Sequence, residues 1–259
     1  MSNIPVALQL YSVRNELAKD LRGTLKAVAK MGYSGVEFAG PPQASGKELR
    51  AALDEFGLVC CSWHTPFESV QDHKLAETIA LNQAVNNHSI IVPGIPGELL
   101  GSKANWLKMA AFFNQLSEKL GEHGMWTGYH NHHTEFIPLE GEKPWDTFFG
   151  NTRKEVVMQL DLGNAMFGGE DVLSILKRYP GRSNTIHLKP YSKKAGKEDA
   201  EAGFKPLIGE DDIPWKEVFH LCETTGDTRW YIVEYESDAY PPLEAVERCL
   251  KAVKALLEG

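Results

Sequence analysis

The segment GYHNHHTEF, residues 128–136, places three histidines and a glutamate within six positions: His130, His132, His133 and Glu135. Imidazole and carboxylate groups bind divalent metal ions, and imidazole exchanges protons near neutral pH. A surface loop could carry the same residues as solvated polar groups, His133 in particular. On a β-strand, however, His130 and His132 share one face. Whether they form a site depends on partners elsewhere in the chain.

Polar residues stand at the ends of seven predicted strands. They are Gln9 and Tyr11, Glu37, His64, His130 and His132, Asp161, His187 and Lys189, and Glu234 and Glu236. Any one of them has an ordinary structural explanation, such as a hydrogen bond or an ion pair. Their repeated placement at one end of successive strands indicates a shared site, because the carboxyl ends of barrel strands meet at one mouth. Carboxylates and imidazoles there suit one divalent ion, Mn²⁺, Co²⁺, Zn²⁺ or Mg²⁺, which can polarise a carbonyl and hold neighbouring sugar oxygens.

The elements that must position these residues alternate along the whole chain. Eight short β-rich runs are each followed by a helical stretch, such as LRGTLKAVAKMG after the first run. The strands are predicted to end at about residues 10, 38, 64, 93, 131, 162, 188 and 235. This pattern predicts a single (β/α)₈ TIM barrel, α/β in class, as one domain over residues 1–259. An open doubly wound sheet would also alternate, but no GxGxxG follows the first strand.

One connection between a strand and the next helix is unusually long. The segment YSKKAGKEDAEAGFKPLIGEDD, residues 191–212, follows the seventh strand, is polar and has no clear period. Long loops in compact domains are more often functional than idle. We expect this one to cover the C-terminal mouth of the barrel.

Composition narrows the classes of partner. A net charge of −8 and a pI near 5.6 argue against nucleic-acid binding, which needs a basic surface. No apolar run reaches about 18 residues and no leader pattern opens the chain, so neither a membrane span nor a signal peptide is expected. The four cysteines lack CxxC spacing and are expected to be reduced in the core, which predicts a cytoplasmic protein. A homo-oligomer is compatible with the sequence.

Several segments together resemble a known family. They are LQLYSVR, GYSGVEFAG, WHTPF, QLDLGN, IHLKP, PLIGEDDIPW and YIVEYE, and they span essentially the whole chain. The chain resembles the xylose isomerase-like TIM-barrel superfamily, in its sugar phosphate isomerase/epimerase group. The resemblance implies one metal ion at the C-terminal mouth, held by Asp161, His187 and Glu234. No phosphate-binding glycine-rich loop is evident, so a phosphorylated substrate does not follow.

The fourth metal ligand is where this chain departs from the family. The resemblance implies a glutamate near the end of strand five, but His130 stands at that position. Either His130 or His132 replaces it, or Glu135 returns its carboxylate from the following turn, and we favour Glu135. An imidazole that does not bind the metal is then free to act as an acid or base.

The resemblance implies an isomerase or epimerase of a keto-sugar or related polyol, acting through an enediolate. His132, or else His130, is predicted to move the proton, and Lys189 to stabilise the enediolate. Gln9, Glu37, His64 and Glu236 are predicted to contact the sugar without binding metal. The alternative is a metal-dependent dehydratase or lyase on a keto-sugar or 3-keto-glycoside, which uses the same enolate. A DNA-repair nuclease on this barrel would need a histidine where Asn164 stands.

Overall fold

Eight parallel strands close into a barrel in chain order. The computed structural model describes residues 4–197 and 199–258. The strands are β1 (Val6–Gln9), β2 (Gly35–Ala39), β3 (Val59–His64), β4 (Ser89–Val92), β5 (Trp126–His130), β6 (Val157–Asp161), β7 (Thr185–Leu188) and β8 (Trp230–Val233). Strand β8 pairs with β1, for example Ile232 with Ala7, so the sheet has no free edge. The predicted TIM barrel is confirmed, and every strand ends within about two residues of its predicted position.

Helices connect the strands on the outside of the barrel. They are α1 (Arg14–Lys19), α2 (Leu21–Met31), α3 (Gly46–Phe56), α4 (Asp72–Ala84), α5 (Lys103–Gly121), α6 (Pro144–Asn151), α7 (Leu162–Phe167), α8 (Val172–Arg178), α9 (Lys193–Gly196), α10 (Trp215–Leu221) and α11 (Pro242–Glu258). Helix α3 illustrates how local sequence sets these bounds. The Ser45 hydroxyl and the Glu48 carboxylate form a capping box at its start, and Gly57, at φ 69°, ends it in the left-handed conformation.

Alternation along the strands separates an apolar exterior from a polar interior. In β6, Met158 and Leu160 belong to the core between strands and helices, whereas Gln159 and Asp161 face the inside of the barrel. A large aromatic group holds the outer side of β5: Tyr129 contacts the rings of Trp106, Phe113 and Phe148. This packing presents the opposite face of β5, including His130, to the barrel interior.

The connection after β7 lies over the mouth, as the sequence predicts. It contains α9 and a 3₁₀ turn over Ala200–Phe204. The Phe204 ring contacts Phe167 and Tyr191, with ring centroids 5.6 and 4.8 Å away. The Lys189 ammonium lies 5.5 Å from the Phe204 centroid, so the turn closes directly over the end of β7.

Two further expectations concern the chain as a whole. All four cysteines are buried and free, as expected. Among the residues that the structure describes, no helix combines the length and apolar character needed to cross a bilayer.

Candidate metal centre and active site

Four side chains from consecutive strands meet at the C-terminal mouth. His130 ends β5, Asp161 ends β6, His187 lies on β7 and Glu234 directly follows β8. Each offers one ligand atom, and these atoms all lie within 4.8 Å of one another. All four residues are buried. Two imidazoles and two carboxylates at this spacing form a donor set for one divalent ion.

The state of Asp161 supports a cation at this position. Its Oδ1 accepts a hydrogen bond from the Asn164 backbone amide at 2.7 Å. Among the described residues, its buried Oδ2 has no hydrogen-bond partner, and His130 Nε2 lies 3.9 Å from it. Burial raises the pKa of Asp161 to about 7. Because an unsatisfied buried carboxylate oxygen is costly, the donor set fits a bound cation better than it fits a purely structural role.

A second layer of buried residues fixes the orientation of His187. Its Nε2 lies 2.6 Å from Glu37 Oε2, and its Nδ1 lies 2.5 Å from Glu234 Oε2. Burial would lower the pKa of His187, but Glu37 and Glu234 outweigh it and raise this pKa to about 10. Glu37 therefore holds one nitrogen, and Nδ1 is the atom that faces the four-residue group. A histidine ligand held by a carboxylate on its other nitrogen is a recurring arrangement in metal sites.

Gln159 fixes the orientation of His130 in the same way. Its amide nitrogen donates to Glu37 Oε1 at 2.8 Å and to Thr185 Oγ1 at 3.0 Å, so the amide oxygen must face the imidazoles. That oxygen lies 3.2 Å from His130 Nδ1 and 2.6 Å from His64 Nε2. His130 Nδ1 must therefore carry the proton, which leaves the lone pair of Nε2, on the side of Asp161, free to bind a metal ion. Burial holds the pKa of His130 well below its usual range, as a neutral ligand requires.

Lys189 connects the four-residue group to solvent. Its ammonium lies 3.4 Å from Glu234 Oε1 and forms a close ion pair with Glu236. Burial would lower the pKa of Lys189, but Glu234, Asp161 and Glu236 raise it, so the lysine stays charged. It lines an open cavity of about 650 Å³, here called the lysine cleft, together with Asn164, Phe167, Phe204 and Glu236.

His132 stands at the rim of the same mouth. Its ring lies 5.4 Å from the ring of His130, edge to face, and the residue is exposed. Its surroundings at the mouth lower the pKa of the imidazole by desolvation, although Glu135 opposes this. His132 is therefore neutral at neutral pH and lies next to the candidate ligands. His133 also lines the lysine cleft, with its ring 4.5 Å from Phe167.

Glu135, favoured from the sequence as the fourth ligand, is not brought into the group. Its Oε1 accepts from the Tyr129 hydroxyl at 2.7 Å, and its Oε2 accepts from the His132 backbone amide at 2.8 Å and from Thr134. Tyr129 lies on the outer face of β5, so this carboxylate closes the turn on the side away from the mouth. His130, the alternative left open by the sequence, occupies the position instead.

Of the residues predicted to contact the sugar, Gln9 and Glu37 lie fully buried inside the barrel. His64 ends β3 beside His130 and His187, and the ligand atoms of these three histidines also lie within 4.8 Å of one another. Glu37 is fully buried and interacts with Gln9, His64, Gln159 and His187. Although burial would raise it, the pKa of Glu37 is lowered to about 2 by His64 and His187. Gln9, Glu37 and His64 therefore satisfy one another and support His187, whereas Glu236 does line the lysine cleft. A direct contact of Glu37 with the sugar stays a prediction, and the contacts of this carboxylate are with the residues that surround His187.

Sequence reasoning missed two buried amides. Gln159 lies two residues before Asp161 and so shares its face, a signal that strand alternation alone provides. Asn131 follows β5, where its Oδ1 accepts from the Asp161 backbone amide at 2.8 Å and its amide nitrogen donates to the Asp161 carbonyl at 3.1 Å. It joins the ends of β5 and β6. No local pattern in the sequence predicts this contact.

Comparison with known proteins agrees with this architecture. Residues 25–256 match the family model described as Xylose isomerase-like TIM barrel. The chain is 27% identical over 262 residues to an inosose dehydratase of Clostridium perfringens (strain 13), covering 89% of this chain and 88% of that protein. An inosose dehydratase of Klebsiella pneumoniae (strain 342) is 26% identical, over 89% of this chain and 87% of its own length.

A solved structure shows the same fold. A sugar phosphate isomerase/epimerase from Parabacteroides distasonis ATCC 8503 superposes with a TM-score of 0.82 at 21% identity, over 98% of this chain and 97% of that one. At this identity the likeness concerns the fold. The family model, by contrast, spans most of the sequence. The chain therefore belongs to the xylose isomerase-like TIM barrel family.

Proposed function

We propose that the protein is a divalent-metal-dependent dehydratase that removes water from a polyhydroxylated ketone, such as a keto-cyclitol or keto-sugar. The observation that carries the proposal is the buried group of His130, Asp161, His187 and Glu234 beside a neutral imidazole, His132, and a charged lysine, Lys189. Its similarity to inosose dehydratases supports elimination over the isomerase or epimerase chemistry that the sequence alone favours.

The four-residue group would hold the ion. Mixed imidazole and carboxylate donors suit Mn²⁺, Co²⁺ or Zn²⁺ better than Mg²⁺, which prefers oxygen ligands. When bound, such an ion supplies Lewis-acid polarisation of a ketone oxygen. Glu37 and Gln159 hold the two imidazoles so that His187 Nδ1 and His130 Nε2 face the centre.

His132 is the proposed base. It removes the proton from the carbon next to the carbonyl, and the electron pair of the broken C–H bond forms the enolate. A neutral imidazole at the mouth is suited to this step because desolvation lowers its pKa. A carboxylate bound to a cation would be a weaker base, because the cation lowers its basicity.

The ion pair of Lys189 and Glu236 is the proposed proton donor to the departing hydroxyl. Burial and Glu234 raise the pKa of Glu236, and both residues line the lysine cleft. As the enolate collapses, its electrons form the carbon–carbon double bond, the C–O bond at the β carbon breaks, and the hydroxyl leaves as water with the donated proton. The proton on His132 then returns to the pair, so that one water is lost and no electrons are exchanged.

Product analysis tests the proposal. The protein is stripped with EDTA, reloaded with Mn²⁺, Co²⁺ or Zn²⁺, and incubated with an inosose. We expect a product lighter by one water and an ultraviolet band from the conjugated ketone, both dependent on metal. A product of unchanged mass but altered stereochemistry would contradict the dehydratase and establish the second candidate, an isomerase or epimerase, which the family resemblance of the sequence implies.

The remaining assignments follow from the proposed reaction. The partner is a small sugar-like molecule rather than a nucleic acid or a membrane. A cytoplasmic location and a homo-oligomeric state stay predictions.

A further inference from the structure

The position of the His132 imidazole is set by its backbone. Among the described residues, the ring makes no hydrogen bond, and its one aromatic neighbour is His130, 5.4 Å away. The backbone amide of His132 donates to Glu135 Oε2 at 2.8 Å, and its carbonyl accepts from the Asn131 amide nitrogen at 3.4 Å. A general base acts only within hydrogen-bond reach of the proton that it removes, so what holds this backbone matters for the reaction.

The buried Glu135 carboxylate accepts hydrogen bonds from three donors. Its Oε1 accepts from the Tyr129 hydroxyl at 2.7 Å, and its Oε2 accepts from the Thr134 hydroxyl at 3.2 Å as well as from the His132 amide. The two oxygens of a carboxylate offer about four acceptor positions, so one side chain satisfies all three donors. Because Glu135 lies in a 3₁₀ turn three residues after His132, its carboxylate ties this turn back to the end of β5.

Tyr129 connects the turn to the outer layer of the barrel. Its buried ring contacts Trp106, Phe113 and Phe148, with ring centroids 6.1, 6.0 and 5.3 Å away. Aromatic pairs at these separations are attractive. Tyr129 and His130 are neighbours on β5, so the tyrosine ring points outward while the histidine faces the barrel interior. The hydroxyl of a ring held by this packing therefore holds the carboxylate from the side away from the mouth.

Gly168, at the end of α7, confines the same turn. A Cβ at this position would lie 2.9 Å from the His133 carbonyl oxygen and 3.0 Å from Phe136 Cβ, so the backbone of α7 ends directly against the turn. The His133 ring also lies 4.5 Å from the Phe167 ring. The segment that carries His132 therefore has little room to shift.

We propose that Glu135, held by the Tyr129 hydroxyl, is a positioning residue of the active site, which fixes the strand end from which His132 reaches the substrate. This inference rests on the proposed function, which makes His132 the base. Both oxygens of Glu135 are engaged by the turn, so its removal leaves the candidate metal ligands in place and releases the base alone. A displacement of about 1 Å at a reacting group costs up to about 100-fold in rate.

Turnover of an inosose by the Mn²⁺-loaded protein tests the role of the carboxylate. Glu135→Ala should lower kcat by about 10- to 100-fold, with KM and metal content unchanged. Glu135→Gln should stay within about threefold of the unsubstituted protein, because its amide oxygen accepts from the same backbone N–H. An unchanged kcat in Glu135→Ala would overturn the proposal. Loss of the metal from Glu135→Ala would also overturn it and make Glu135 a ligand.

Tyr129→Phe tests the same contacts with a milder change. It should lower kcat about three- to tenfold by itself and have no further effect in the Glu135→Ala background, because the tyrosine acts through the carboxylate. Tyr33→Phe is the matched control, since it removes another buried tyrosine hydrogen bond of 2.7 Å, to the Val246 carbonyl, and should leave kcat unchanged. An equal loss of kcat in Tyr33→Phe would show a general effect of core damage and overturn the proposal.

Hydrogen exchange separates this inference from the proposed function, because it needs no turnover. In the Zn²⁺-loaded protein, the His132 amide followed by NMR should exchange at least about tenfold faster in Glu135→Ala than in Tyr33→Phe. Loss of water from the inosose with neither kcat nor this exchange altered in Glu135→Ala would sink the positioning role and leave the dehydratase standing. No loss of water in the unsubstituted protein, together with the expected change in exchange, would sink the dehydratase and leave the anchoring of His132 standing.

Discussion

Strands β1–β3 and strands β5–β8 both end in buried polar residues, yet the two halves of the mouth use them differently. Gln9, Glu37 and His64 in the first half bond to one another and to residues of the second half. In the second half, Asp161 keeps a buried oxygen without a partner among the described residues. The presence of carboxylates and imidazoles at strand ends is therefore not sufficient to identify a metal site. Among the candidate ligands, the unsatisfied oxygen of Asp161 is the feature that the residues of the first half lack.

The largest effect is expected when a candidate ligand in the second half of the mouth is removed. Asp161→Ala should abolish metal binding and activity, because it removes the carboxylate whose free oxygen faces the group. The circular dichroism spectrum should stay that of the folded barrel. Metal content is measured by mass spectrometry after dialysis, with Asp72→Ala on the exposed surface as control. A variant that keeps stoichiometric metal would show that Asp161 is not a ligand.

A substitution of His132 tests whether this residue binds the metal or acts as the base. His132→Ala should lower kcat by about 10² to 10⁴, the usual contribution of a general base, with metal content unchanged. Exchange of solvent deuterium into the substrate should fall by a similar factor. His123→Ala, which changes an exposed histidine in the turn after α5, serves as the control. If His132→Ala empties the metal site instead, the residue is a ligand.

A substitution of Glu37 tests whether the residues of the first half of the mouth act only by orienting the candidate ligands of the second half. Glu37→Gln should weaken metal affinity by about 10- to 100-fold, because His187 loses the carboxylate on its Nε2. A direct role in sugar binding would instead raise KM and leave metal affinity intact. Competition of a fluorescent chelator for Mn²⁺ distinguishes the two, with Glu98→Gln as the matched control.

The smallest expected effect is a dependence of metal affinity on pH. In the metal-free protein, burial raises the pKa of Asp161 to about 7, so a proton competes with the metal below that pH. Raising the pH through 7 removes this competition. Because His187 must also lose a proton to bind the ion, the apparent affinity for Mn²⁺ should increase at least about tenfold between about pH 6 and about pH 8. Titration followed by electron paramagnetic resonance measures it. An affinity that falls or stays level over this range would contradict an ionising ligand.

The barrel could be predicted because its signals are local and repeated. Apolar periodicity and glycines bound each element, and the same alternation puts Asp161, His187 and Glu234 on the inner face of their strands. The direction of the Glu135 side chain could not be predicted this way. It lies in a 3₁₀ turn, where the direction of a side chain depends on its partners, and its partner Tyr129 is held by aromatic packing outside the barrel.

The sequence by itself determined the fold, the end of the barrel that carries the polar residues, and three of the four candidate ligands. The fold and the polar end of the barrel follow from patterns of neighbouring residues along the chain, whereas Asp161, His187 and Glu234 are the ligands that the family resemblance implies. Only the tertiary structure decided that His130 joins them and that Glu37 and Gln159 orient the imidazoles. Each of these depends on contacts between residues far apart in sequence, such as Gln159 with Glu37, whose closeness exists only after the barrel has closed.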